Sequence, residues 1–165
     1  MKPKIFPLEK GFTFIELLAV FGIITTILTF AVINLRQAQN QTSINTEVTV
    51  VAGDIKSQQM KAMSGYTDGS STSTYHGIYF DSQRYVLFQG NTYQEGAATN
   101  FSLPLDENFR FESITFPASQ LVFIPPSGEV YNFSEASNTV TLRNINDNEI
   151  RVFTINQLGV LTAIE

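Results

Sequence analysis

The chain of 165 residues contains no cysteine and no tryptophan, and its one histidine is His76. The lack of cysteine excludes disulfides, thiol catalysis and cysteine-based zinc sites. A lone histidine has no partner of its own kind, so we expect neither a histidine metal site nor a histidine relay. Acidic residues outnumber basic ones, and the net charge is −5. This balance disfavours a general nucleic-acid binder, since phosphate contacts need clustered Lys and Arg.

The sequence also lacks the short motifs of common enzyme classes. It has no phosphate-binding loop, no Gly-x-Ser-x-Gly elbow and no His-Glu-x-x-His pattern. His76 lies beside Gly77 at the start of a predicted strand, where we expect a structural or solvent-facing role. The neighbouring carboxylates of Asp106 and Glu107 lie in a predicted loop, which is typical of solvated side chains rather than an acid–base pair. We therefore predict a protein without catalytic residues, cofactor or metal, and not an enzyme.

A long apolar run is the dominant positive feature. It extends from about residue 12 to residue 35 and follows a short leader with three lysines and one glutamate. A helix over residues 12–35 would be roughly 36 Å long, enough to cross a hydrocarbon core of about 30 Å. Lysines beside such a segment stay in the cytoplasm. We expect a single pass through the cytoplasmic (inner) membrane, with the N-terminus inside, lipid around the helix and the globular domain outside the cytoplasm.

One carboxylate, Glu16, lies near the start of this run. An acidic residue inside a bilayer costs roughly 2.5–3.5 kcal/mol, so its presence indicates that the charge is used. Phe12 and Glu16 are four residues apart and share a helix face. If the chain were cut after Gly11, the Glu16 carboxylate of one subunit could meet the new Phe12 ammonium of its neighbour. The lack of a side chain at Gly11 suits a peptidase that approaches the backbone closely.

The stretch Lys10-Gly11-Phe12-Thr13-Phe14-Ile15-Glu16, with the basic leader and the apolar run, resembles the entry sequence of the type IV pilin and pseudopilin superfamily. The resemblance implies cleavage by a prepilin peptidase between Gly11 and Phe12 and N-methylation of Phe12. It also implies that Glu16 orders the subunits of a filament. The implied partners are the peptidase, other pilin or pseudopilin subunits and an inner-membrane assembly platform.

The pattern after residue 35 predicts a second, amphipathic half of the same helix. Ile44, Val48, Val51 and Ile55 recur at spacings of four, three and four, which indicates one buried face. The helix is expected to end near Ser64 and Gly65, because glycine favours a left-handed cap. The predicted organisation is a leader over 1–11, a transmembrane part over 12–35, an amphipathic half over 36–64 and a β-rich domain over 65–165.

The predicted strands form a C-terminal antiparallel sheet or sandwich. Segments 75–80 and 84–89 are expected to pair as a hairpin, 90–106 to form a loop and 121–124 to be central. Further strands are predicted near 109–112, 129–133, 140–143, 150–155 and 160–164. Apolar strands and glycine turns in this region resemble the GspH/FimT group of minor pseudopilins. The predicted fold class is thus a pilin-like α+β fold, a transmembrane and then amphipathic helix packed on an antiparallel β domain.

These features predict a non-enzymatic minor pilin or pseudopilin, assembled into a type II secretion pseudopilus or a type IV pilus for protein secretion. The alternatives are a membrane-anchored exported binding or adhesion protein and a minor pilin of DNA uptake. DNA binding is not expected, because Arg143 and Arg151 are separated by acidic residues. The oxygen-rich run around Asp147 is interpreted as a polar hairpin tip, with weak calcium binding as the alternative.

Overall fold

A computed structural model describes Gly11, residues 13–67 and residues 74–164, with the backbone alone over 30–43. The chain divides into two compact units, Met1–Gln41 and Thr42–Glu165. Within the described residues it forms a long helix, α1, a 3-10 helix over Pro117–Ser119, and eight strands. Helix α1 spans Phe14–Ser64; the strands are β1 His76–Asp81, β2 Arg84–Gln89, β3 Phe101–Pro104, β4 Phe109–Glu112, β5 Gln120–Phe123, β6 Thr139–Asn144, β7 Ile150–Ile155 and β8 Leu161–Ile164.

The predicted transmembrane helix is corrected by the structure. Across the described residues, no helix combines the length and the apolar character that crossing a membrane requires. The described part of α1 begins with mostly apolar side chains over residues 14–29. Thr25, Thr26 and Thr29 interrupt them, each with a hydroxyl that donates to a carbonyl of the preceding turn.

The predicted fold class is therefore wrong in the form stated, because it required a transmembrane segment. The single-pass position in the cytoplasmic membrane is wrong for the same reason, as is the description of the chain as a membrane-bound pseudopilin of a secretion system. The described residues instead form a mixed α+β fold with two antiparallel sheets.

Helix α1 ends at Ser64, as predicted from the glycine that follows it. Gly65 adopts a φ of 65°, and its N–H donates to the Ala62 carbonyl at 3.2 Å. The Tyr66 N–H donates to the Lys61 carbonyl at 3.0 Å. These two bonds form a Schellman motif, which satisfies the last carbonyls of the helix and turns the chain away.

The strands form two four-stranded antiparallel sheets. The first has the order β3-β2-β1-β5, and the second has the order β4-β6-β7-β8. β1 and β2 form the predicted hairpin, with Asp81 opposite Arg84 beside the turn. β5 is an edge strand, so the prediction of a central strand at 121–124 is wrong.

One hydrophobic core joins both sheets to the second half of α1. The predicted helix face is buried, with Ile44, Val51 and Ile55 at most 1% exposed, which confirms the spacing argument. Aromatic side chains occupy the space between the sheets, where the Phe80 and Phe111 rings meet edge to face at 5.2 Å. Further large members of this core include Ile78, Tyr85, Phe109, Phe116, Leu121, Phe123, Leu142, Phe153 and Ile155.

A hydrogen bond fixes the helix against the first sheet. The Tyr85 hydroxyl donates to Asp54 Oδ2 at 2.6 Å, although the Tyr85 side chain is 1% exposed. Burial, together with the Asp54 carboxylate, raises the pKa of Tyr85 far above its usual range. The phenol therefore stays protonated and keeps donating across the accessible pH range.

Candidate functional site

The start of the chain carries the residues that the pilin resemblance singled out. Gly11 is exposed, and no described atom outside its chain neighbours lies within 4 Å of the position that a Cβ would take. Phe12 lies outside the described residues. Its predicted cleavage and methylation therefore remain predictions.

Glu16 takes part in a capping box at the start of α1. The Thr13 N–H donates to Glu16 Oε2 at 3.5 Å, and the Glu16 N–H donates to Thr13 Oγ1 at 3.3 Å. Thr13 thus caps the helix, and Glu16 occupies the third helical position, where a carboxylate also favours the positive end of the helix dipole. The Thr-x-x-Glu pattern is the sequence signature of this capping box. Capping is thus a role of Glu16 in addition to its predicted contact between subunits.

The first turns of α1 expose large apolar side chains on every side. Phe14 is 76% exposed, Ile15 72%, Ile23 62% and Ile27 62%. At 100° per residue, the exposed set surrounds the helix axis instead of forming one stripe. A helix that is apolar all round is normally enclosed by other apolar groups. The remaining exposed members are Leu17, Leu18, Val20, Phe21, Ile24 and Leu28.

The carboxylates considered for calcium or acid–base chemistry serve local turns. Asp147 Oδ1 accepts a hydrogen bond from the Glu149 N–H at 3.0 Å. Asp106 Oδ1 accepts from both the backbone and the side-chain nitrogen of Asn108. Among the residues the structure describes, no group of three or more His, Cys, Asp or Glu side chains is placed to hold a metal ion.

The arginines of the second sheet are paired with glutamates. Glu112 accepts from Arg143 and from Arg110, each at 2.6 Å, and the Arg143 guanidinium holds the pKa of Glu112 below its usual range. Arg151 pairs with Glu149. Each of these cations is thus engaged by a carboxylate of the same chain, which does not favour them as phosphate contacts.

Of the two roles expected for His76, the structure shows the structural one, and the side chain does not face solvent. It is 3% exposed, and its Nε2 lies 2.9 Å from the Tyr66 carbonyl oxygen. A carbonyl only accepts, so Nε2 carries the proton and donates. Burial lowers the pKa of His76 below its usual value, and the ring is therefore neutral at pH 7. This bond ties the segment after α1 to the start of β1.

The lowered pKa of His76 predicts that the folded protein loses stability in acid. Because its pKa is lowered by folding, the unfolded chain binds the proton first, and stability rises with pH. We expect the free energy of unfolding to fall as pH decreases below about 6.5. His76→Gln can still donate to Tyr66 but does not titrate, so it should lack this loss. Glu47, whose pKa burial raises, acts with the opposite sign but is common to both proteins. Urea titrations of both proteins from pH 7.5 to about 5 measure the free energy of unfolding. If it falls with pH by the same amount in both proteins, the assignment is contradicted.

A cavity near His76 contains polar residues that the sequence analysis did not single out. It has a volume of about 110 Å³ and is lined by Gln58, Lys61, Tyr66 and Phe101, among others. No local pattern identifies these residues, because α1, β2 and β3 bring them together only in the folded chain. The sequence indicates only that Gln58 and Lys61, three residues apart on α1, share one face of the helix.

Comparison with protein-family models, with curated proteins and with solved structures finds no match to this chain. A function for this chain is therefore argued from its own residues, in particular from the exposed start of α1.

Proposed function

We propose that this protein is a non-enzymatic filament subunit of the pilin kind, which assembles through the first turns of α1. The observation that carries the proposal is the set of apolar side chains exposed around the whole helix over residues 14–29. A single partner surface would cover one side of such a helix. A bundle of equivalent helices covers all sides, because each helix is then surrounded by copies of itself.

Glu16 supplies the specificity in this proposal. Apolar contacts are not directional, so helices in a bundle can slide past one another. A lone carboxylate among apolar side chains is costly to bury unless a cation pairs with it. Processing after Gly11 would create that cation at the amine of Phe12. The pair between subunits would then determine the axial position of each helix relative to its neighbour.

The proposal predicts both a mass change and a loss of assembly. Incubation of the full chain with a prepilin peptidase should remove residues 1–11, as measured by intact mass spectrometry. Glu16→Ala should still be processed. Its recovery in sedimentable filaments should fall by about tenfold or more, since an unpaired buried charge is left on the neighbour.

Two further variants separate the charge of Glu16 from its capping role. Glu16→Gln keeps a side chain that suits the capping box but removes the charge. It should fail to assemble like Glu16→Ala if the ion pair matters. Glu107→Ala removes one exposed carboxylate elsewhere and should assemble normally. Normal filaments from Glu16→Gln would contradict the ion-pair role, and an uncut chain would contradict the processing.

A further inference from the structure

Two tyrosine rings stack closely on the first sheet, on the face turned away from the core. Tyr79 of β1 alternates with the buried Ile78 and Phe80, so its side chain lies on the opposite face. Tyr93, in the loop between β2 and β3, stacks on it with ring centroids 4.1 Å apart and ring planes 6° from parallel. Aromatic pairs usually keep their centroids about 4.5–7 Å apart. The two phenol rings are therefore in closer contact than an ordinary aromatic pair.

Both rings are held in place by their surroundings. The Tyr93 N–H donates to Gln120 Oε1 at 2.7 Å, and the Phe88 ring meets the Tyr93 ring edge to face at 5.7 Å. Tyr79 belongs to β1, which pairs with β2 on one side and with β5 on the other. Because both partners are positioned in advance, a reaction between them is favoured over a reaction between separate molecules.

The composition of the chain leaves tyrosine as a prominent target of one-electron oxidation. The chain contains no cysteine, the side chain that oxidants attack most readily through its thiolate, and no tryptophan. Tyr79 and Tyr93 are each partly exposed and can be reached from solvent, whereas Tyr85 is 1% exposed and enclosed by the core. A radical formed on either stacked ring thus has a second phenol in contact and no thiol of the same chain to reduce it.

We propose that Tyr79 and Tyr93 form an oxidative cross-linking site, which a haem peroxidase with hydrogen peroxide converts into dityrosine. Each phenol gives up one electron and its phenolic proton, and hydrogen peroxide takes up both electrons and both protons to form two molecules of water. The two tyrosyl radicals join through a carbon–carbon bond between ring positions next to their oxygens. The hydrogen on each of these carbons then moves to the phenol oxygen, so both phenols are restored and two hydrogen atoms are lost in total.

The cross-link would fix the loop over residues 90–100 to the centre of the first sheet. Another contact of this loop with the sheet is the ion pair of Arg84 and Glu95 at 3.8 Å, whose exposed partners contribute little. A covalent link between Tyr79 and Tyr93 would also restrict the unfolded chain, as a disulfide does. The modification goes beyond filament assembly and does not depend on it, because both tyrosines belong to the unit Thr42–Glu165.

The test is oxidation of the full chain, at low protein concentration, with hydrogen peroxide and a haem peroxidase, followed by mass spectrometry of the intact chain and of its peptides. We expect a monomer lighter by two hydrogen atoms and a cross-linked peptide pair that contains Tyr79 and Tyr93. Tyr75 and Tyr131 provide an internal comparison, since their rings lie 5.5 Å apart and 74° from parallel. Their link should be about tenfold less abundant. A reaction governed by exposure alone would instead link Tyr66, which is 49% exposed, between molecules.

Two variants complete the experiment. Tyr93→Phe keeps the stacked ring but removes the phenol, so the yield of linked monomer should fall by about tenfold. Tyr131→Phe removes an exposed phenol outside the pair and should leave that yield unchanged. The proposal is overturned if the oxidised original chain lacks the link between Tyr79 and Tyr93, or if this link is no more abundant than that of Tyr75 and Tyr131. An unchanged yield in Tyr93→Phe would also overturn it. The first two results come from the unaltered protein, so a folding defect in a variant leaves them intact.

Discussion

Gly159→Ala is expected to destabilise the protein by about 3–5 kcal/mol. Gly159 is buried with a φ of 73°, a left-handed conformation that costs an L-residue about 1–2 kcal/mol. An added Cβ would also lie 2.5 Å from Gln59 Nε2, 2.7 Å from the Gly128 carbonyl oxygen and 2.8 Å from Phe123 Cε1. Two of these neighbours are held in place, one as backbone and one as a core ring. The turn before β8 would have to move away from α1.

Gly96→Ala is the matched control for this prediction. Gly96 has a similar φ of 78°, but nothing lies within 4 Å of the position of its Cβ. Only the conformational cost of about 1–2 kcal/mol should appear. Urea denaturation of both variants measures the difference, which we assign to the contacts of Gly159. Equal losses in the two variants would show that close packing at Gly159 is not important.

Gln59→Glu is expected to cost about 3–5 kcal/mol at neutral pH. The Gln59 side chain is 3% exposed, and its Nε2 donates to the carbonyls of Leu158 at 2.7 Å and Gly128 at 3.0 Å. A glutamate of the same shape replaces this donor with oxygen, so two carbonyls would face a negative charge. Lys56, which donates to Gln59 Oε1 at 2.9 Å, would offset part of the loss.

The pH dependence of this variant gives a second measurement. Burial beside carbonyl oxygens should raise the pKa of the new carboxyl group. Folding then favours the protonated form, so the deficit relative to the original chain should shrink as pH falls towards about 4.5. Gln157→Glu adds the same charge at an exposed position of the same turn and should change stability by less than about 0.5 kcal/mol. Similar losses for the two variants would contradict the role of Gln59 as a link between α1 and the loops.

Local signals predicted the elements that depend on local physics. The apolar spacing of Ile44, Val48, Val51 and Ile55 identified the buried helix face, because the 3.6-residue period determines which side chains share a side. Gly65 marked the helix end, because a left-handed cap favours glycine. The hairpin of β1 and β2 followed from two alternating segments separated by a short polar turn.

Local patterns do not identify strands whose pairing partners are distant in the chain. β3 lies in the segment predicted as a loop, because Phe101–Pro104 is short and becomes a strand only by pairing with β2. The strand predicted over 129–133 reduces to a single bridge between Phe123 and Val130, and Asn132 adopts a φ of 53°. The predicted membrane span is wrong because no helix of the described residues is both long and apolar enough to cross a membrane.

Residue order alone was enough to predict the elements whose physics is local: the helix face, its cap and the hairpin. These follow from periodicity and backbone preference, which act over a few residues. Long-range packing made β5 an edge strand, placed Gln59 between α1 and two loops, and brought together the side chains around the cavity at Gln58 and Lys61. Those features depend on contacts between residues far apart in the chain, and nothing in the local pattern around either partner specifies the other.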